Sequence, residues 1–249
     1  MTTTEPSADT ARRARELIRT TPGVPASDGA GVRLTRIIGS PQLGMLDPLL
    51  LLDCFESDDP DDYIAGFPSH PHRGFETVTY LLAGRLRHKD NTGREGVIEP
   101  GGVQWMTAAR GIVHSEMPEQ ADGLLRGFQL WINLPAAEKM GPPGYQEFGR
   151  EQIPEERRAD GTRVRVIAGT TDAGTTGPAR RPSTTPLYLD VELPAGAAFT
   201  QAVPASHACV VLAVDGTVTI GESRSPLPSR HLGVLGDGDA VAVHAGAAP

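Results

Sequence analysis

Two short pairs of metal-ligand side chains, His70-Pro71-His72 and His114-Ser115-Glu116, constrain this chain more than any other feature of its 249 residues. In each pair one residue separates two side chains able to ligate a metal. A β-strand turns successive side chains to opposite faces, so residues i and i+2 share a face, roughly 7 Å apart along the strand. Two such pairs on neighbouring strands aim three imidazoles and one carboxylate at a single point. That donor set suits a first-row transition metal such as Fe, Mn, Ni, Cu or Zn. The competing reading is a polar interior with no metal, which would bury these groups unpaired at considerable cost. Pro71 has no N–H, so its strand must lie at a sheet edge or be bulged there. This favours a site at the mouth of a barrel.

The rest of the chain reads as strand and turn. The 29 Gly and 22 Pro imply many turns and hence many short strands. β-forming runs fall at 32–38, 49–52, 77–82, 86–89, 97–98, 103–107, 112–116 and 124–134. They recur at 164–168, 187–193, 209–214, 217–220, 234–235 and 240–243. Turn sequences such as Asp90-Asn91-Thr92-Gly93 and Pro100-Gly101-Gly102 separate them. Ala83-Gly84 and Glu99-Pro100-Gly101-Gly102 punctuate the first half as Asp215-Gly216 and Gly236-Asp237-Gly238-Asp239 punctuate the second, a weak internal repeat. The pattern predicts an all-β fold of jelly-roll barrels or sandwiches. Pro142-Pro143-Gly144 reads as a linker or seam. The expected division is a flexible N-terminal arm over 1–27, a barrel with the metal site over 28–135, and a metal-free barrel over 136–249. A short helix from Thr10 to Arg19 is disfavoured, because Arg12 and Arg13 oppose the helix dipole in its first turn.

Composition removes several function classes. The net charge of -8 speaks against non-specific binding to nucleic acid, which needs clustered Lys and Arg. No apolar run approaches the ~20 residues of a membrane span. The polar N-terminus has no apolar core of a secretory signal, so a cytoplasmic protein is expected. Two cysteines, Cys54 and Cys209, make no disulfide scaffold and fit a reducing compartment. Both sit among apolar residues and read as buried, inert thiols. Lys occurs only at Lys89 and Lys139 while Arg is frequent, a bias associated with GC-rich bacterial genes.

The segments around the two ligand pairs carry a more specific signal. The stretch from Gly66 to Tyr80, Gly-Phe-Pro-Ser-His-Pro-His-Arg-Gly-Phe-Glu-Thr-Val-Thr-Tyr, resembles the first metal motif of a cupin barrel in its pirin version. The stretch from Gln104 to Pro118 is equally similar to pirins. The likeness continues through 49–55, through Gln129-Leu130-Trp131-Ile132-Asn133-Leu134, and through Glu138-Lys139-Met140 to Tyr145-Gln146. It spans residues 30 to 245. The resemblance implies a bicupin: two tandem jelly-roll barrels, with one iron ion, Fe(II), in the first. Other divalent transition metals are compatible with the donors. The family ligands carry over onto His70, His72, His114 and Glu116. Glu76 stands where many cupins place their carboxylate ligand, and is read here as a neighbour that orients a ligand imidazole or a water. Position 109 is Ala where the family usually has Gly, which adds modest strain if that position needs φ > 0. His207, His231 and His244 in the second half show no ligand spacing and read as ordinary histidines. Pirins usually continue past this point with another apolar strand and a Gly-Pro-Phe tail, whereas this chain stops at Ala247-Ala248-Pro249. The expectation is a second barrel that is destabilised or pairs at an open edge.

Two functions follow from the resemblance. The first is an iron-dependent flavonol (quercetin) 2,3-dioxygenase, with Glu116 as the catalytic base and Phe67, Phe75, Trp105 and Met106 as candidates for an apolar pocket. The second is a non-catalytic, redox-responsive binding protein that modulates a metabolic enzyme or transcription factor. There the iron oxidation state would alter loops near Arg73, Lys89 and Arg110 and so change affinity for a protein partner. Both use the same four ligands, so the sequence leaves them open.

Overall fold

The computed structural model describes residues 12–181 and 183–246. Its elements are β-strands, with two short 3-10 turns at Pro60–Asp62 and Arg150–Gln152. In chain order the first strands are β1 (Leu17–Thr21), β2 (Val24–Asp28), β3 (Val32–Ile38), β4 (Leu49–Ser57), β5 (Phe67–His72) and β6 (Phe75–Ala83). They continue as β7 (Leu86–Asp90), β8 (Glu95–Ile98), β9 (Val103–Thr107), β10 (Ile112–Pro118), β11 (Leu125–Asn133) and β12 (Gly144–Phe148). These strands pair antiparallel.

The first barrel is built from two sheets. One has the order β5-β10-β7-β8 and the other β12-β9-β6-β11-β4-β3-β2. Three smaller sheets form the second barrel, from strands between Glu155–Arg157 and Ala240–Ala245 together with β1. The architecture is two tandem jelly-roll barrels of the cupin type, as the strand pattern and the resemblance implied.

In the middle of the seven-stranded sheet β6 is buried on both faces, which explains its near-continuous apolar and β-branched run. One set of alternate side chains, including Val78 and Tyr80 with Trp105 and Phe128, packs with Ile167, Ala168 and Leu232 of the second barrel. The Tyr80 hydroxyl donates to Asp190 across this seam at 2.7 Å. The other set, Thr77, Thr79 and Leu81, faces the interior of the first barrel. Trp105 is 1% exposed. At about 25 cal/mol per Å² a buried aromatic side chain of this size stabilises by several kcal/mol, so the inter-barrel seam is a core in its own right.

Two boundary expectations need correction. The N-terminal segment is not a flexible arm where it is described, and residues 1–11 lie outside the described residues. Strand β1 pairs with His231–Leu235 of the second barrel, and β2 pairs with β3 of the first. The Arg15 guanidinium, 3% exposed, donates to the carbonyls of Gly236, Pro204 and Ala205. Glu16 accepts from the backbone N–H groups of Glu222 and Ser223. An Arg-rich stretch with few apolar residues reads as a tail, yet it supplies a strand that a sheet edge needs. The seam expected at residue 135 is also crossed. Strand β12, just after Pro142-Pro143, extends the first barrel's sheet by pairing with β9.

Ala109 adopts φ 43°, in the left-handed region. The strain anticipated there is present, and is worth about 1 kcal/mol for a residue with a Cβ. Ala109→Gly is therefore expected to raise the unfolding free energy by up to about 1 kcal/mol. Arg15→Ala strands three carbonyls at the entry to the second barrel and is expected to cost about 2–3 kcal/mol. Chemical denaturation of both variants checks the pair; a neutral Arg15→Ala would mean that the N-terminal segment contributes little to the barrel.

Candidate metal centre

Strand β5 is an edge of its sheet and, among the described residues, pairs only with β10. Its register places His70 opposite His114, Pro71 opposite Val113 and His72 opposite Ile112. The register then shifts, so that Glu116 meets Phe67. Pro71 thus sits on an edge strand next to a bulge, where a residue without an N–H is tolerated. The following turn is pinned twice. Gly74, at φ 82°, donates its N–H to the Ala109 carbonyl at 2.8 Å. The Lys139 ammonium donates to the Gly74 carbonyl at 2.7 Å and to Asn133 Oδ1 at 2.6 Å.

The outcome is a triad of imidazoles. One ring nitrogen from each of His70, His72 and His114 lies within 4.8 Å of the others. Among the described residues this is the only such group of three or more His, Cys, Asp or Glu side chains. His70 Nε2 and His72 Nε2 are 2.9 Å apart. His70 Nδ1 contacts the Pro68 carbonyl at 2.7 Å, and a carbonyl only accepts, so Nδ1 carries the proton. The lone pair of His70 Nε2 is thereby turned toward its partners. Burial, then the neighbouring His114 and His70, pulls the His72 pKa from 6.5 to about 4. Burial, then His70 and His88, pulls His114 to about 3. Both rings are therefore neutral near pH 7, the form that ligates a metal. His114 is 1% exposed and neither of its ring nitrogens has a hydrogen-bond partner. A bound cation would take up one of these nitrogens and so lower that cost, and on this ground the residues fit a metal.

Glu116 is 1% exposed and lies on the same face of β10 as His114, but its carboxylate is not within the close triad. It accepts from the Thr79 hydroxyl at 3.0 Å and from Gln129 Nε2 at 2.9 Å. On β7, opposite Glu116, His88 is 2% exposed, contacts Glu147 at 2.5 Å and stacks on Tyr145. An aromatic wall flanks the triad. Phe75 and Trp131 lie 4.6 Å apart by ring centroid, and each is 5.1 Å from the ring of His72.

Other expected roles are reassigned. Glu76 does not face the triad: Phe75 does, and strand alternation sends Glu76 the opposite way. The fully buried Glu76 carboxylate accepts from Thr107 at 2.6 Å and pairs with Arg181 of the second half at 2.8 Å. Of the proposed pocket residues, Phe75 lies at the site. Trp105 belongs to the inter-barrel core, Met106 packs with Ala108 and Ile112, and Phe67 packs beside Val32 and Phe55. Trp131, Thr79 and Gln129 stand in stretches that carry the family likeness, but the sequence assigns them no role at the site. All three lie one or more strands away from the ligand pairs, and no local spacing marks them.

Fold and site together define a bicupin whose first barrel carries a tri-histidine centre able to hold a metal. The Pirin family model matches residues 31–132. The chain is 55% identical to a pirin-like protein of Caulobacter vibrioides, covering 93% of this chain and 83% of that protein. It is 44% identical to human Pirin, over 87% of this chain and 73% of the relative. A crystal structure of a quercetin 2,3-dioxygenase from Acinetobacter baumannii superposes with a TM-score of 0.81 at 30% identity, covering 93% of this chain and 83% of that one. The chain belongs to the pirin family.

The depressed imidazole pKa values set a pH dependence. In metal-free protein the unfolded chain takes up protons at His72 and His114 below about pH 6.5, while the folded chain resists until about 4 and 3. Stability is thus full above pH 6.5 and is lost as the pH falls toward those values. Denaturation of metal-free protein at about pH 7.5 and 5 should show the loss, and His114→Phe should shrink it. An unchanged pH slope in that variant would contradict the assignment.

Proposed function

We propose that this protein is an iron(II)-dependent dioxygenase acting on flavonols of the quercetin type. The observation that carries the reading is the convergence of three imidazoles beside the Phe75–Trp131 wall. The likeness to a solved quercetin 2,3-dioxygenase at 30% identity supports it. His70, His72 and His114 would hold the ion, with Glu116 as a fourth ligand. Iron, when bound, supplies a Lewis acid and a one-electron redox partner for dioxygen.

The chain's own residues do the rest. Phe75 and Trp131 offer flat apolar surface to an aromatic substrate, a favourable stacking arrangement. Glu116 is buried and hydrogen-bonded on both oxygens, so it is held in place to take the proton of the flavonol 3-hydroxyl. The seven-stranded sheet closes the interior from the side of the second barrel. Ring opening of the flavonolate with dioxygen then releases CO. We place the protein in the cytoplasm, a reducing compartment in keeping with two free thiols. Burial pushes the Cys54 thiol up to about 11, which suits an inert side chain. No helix among the described residues is long and apolar enough to cross a membrane.

Anaerobic loading with Fe(II), followed by oxygen and quercetin, should give flavonol loss with stoichiometric CO. His72→Ala should lose both iron and turnover. Full turnover by an iron-free preparation would reject the mechanism. Iron-loaded protein inert toward flavonols would favour the redox-responsive binder, which partner capture in reductant and in oxidant would then test.

A further inference from the structure

The buried Glu116 carboxylate is gripped from the opposite sheet. Thr79 on β6 and Gln129 on β11 are direct register partners, and both side chains point into the barrel toward β10. Thr79 Oγ1 donates to Glu116 Oε1 at 3.0 Å and Gln129 Nε2 donates to Glu116 Oε2 at 2.9 Å. Thr79 Oγ1 also lies 3.1 Å from Gln129 Oε1, but the hydroxyl has a single proton, so with that proton given to Glu116 this contact is not a second hydrogen bond. Thr79 and Glu116 are each 1% exposed. With one donor on each oxygen the carboxylate plane is fixed, and each oxygen keeps a lone pair free.

We propose that Thr79 and Gln129 are positioning residues: they clamp the Glu116 carboxylate so that it presents one oxygen to the metal held by His70, His72 and His114. This rests on the reading of Glu116 as the fourth ligand. The three histidines need no such help. His70 is oriented by the Pro68 carbonyl, and all three sit on paired strands at short range. Glu116 shares a face of β10 with His114 and its register with β7 is unbroken, yet its carboxylate lies outside the close triad, so the backbone alone does not bring it to the histidines. The donors also neutralise part of the cost of burying a carboxylate before any metal arrives. Outer partners of this kind typically change metal affinity by about 10–100-fold when removed.

The test uses the full chain and Co(II), whose visible absorption reports coordination. Glu116→Ala should weaken Co(II) binding and change the spectrum. Thr79→Val, which keeps the shape and removes the hydroxyl, and Gln129→Leu should each lose about 10–100-fold in affinity and move toward the Glu116→Ala spectrum. Thr79→Ser should restore both properties, which a merely structural role for the side chain would not require. If Glu116→Ala changes the spectrum while Thr79→Val and Gln129→Leu keep the wild-type spectrum and affinity, the clamp is overturned and the ligand assignment survives. If Glu116→Ala itself matches wild type, the fourth-ligand reading fails and takes the clamp with it.

Discussion

The antiparallel register between β5 and β10 is the constraint on which the centre depends. It sets His70 directly opposite His114, on a face they share with His72. A slip of one residue in this pairing would turn His70 and His72 to the face opposite His114 and Glu116, which β7 holds in place. The register is held where slippage is easiest, on an edge strand containing two prolines. Gly74 and Lys139 hold the turn at one end of β5, and the register shift absorbs an extra residue at the other.

A second constraint comes from the two-faced sheet behind the centre. Because β6 alternates, one set of its side chains builds the site and the other builds the seam. Thr79 reaches Glu116, while Val78 and Tyr80 pack on the second barrel. Glu76 belongs to the seam set, and its fully buried carboxylate is matched by Arg181 and Thr107. A buried pair of this kind adds little net stability, but removing one partner is costly. The second barrel therefore contributes to the first through packing and through ion pairs such as Glu76–Arg181, Arg126–Asp215 and Glu56–Arg230, and has no triad of its own among the described residues.

Burial also decides the chemistry. The side chains at the centre are desolvated, so His72 and His114 are driven to the neutral form and the Glu116 carboxylate must be hydrogen-bonded. Metal affinity, substrate polarity and protein stability are thus set by the same few desolvated groups. The cost of leaving His114 without a partner is the physical reason to expect a cation there.

Much of this was legible in the chain itself. The spacing of His70, His72, His114 and Glu116 announced strands and a metal, and Pro71 announced an edge or bulge. Strands such as β3 and β9 follow from local β-forming runs at the residues expected. Those signals are local: alternation, turn residues and the missing N–H of proline act within a few positions. The remainder depended on contacts between distant residues. An Arg-rich terminal stretch became β1 because a sheet edge in the second barrel accepts it, and β12 joined the first barrel across a Pro-Pro seam. Glu76 turned to Arg181, 105 residues away, and Thr79, Gln129 and Trp131 came to the site from other strands. The sequence by itself determined which groups could bind a metal and that they ride on strands. Only the tertiary structure decided which groups face them, because cross-sheet neighbours are chosen by register and burial rather than by spacing along the chain.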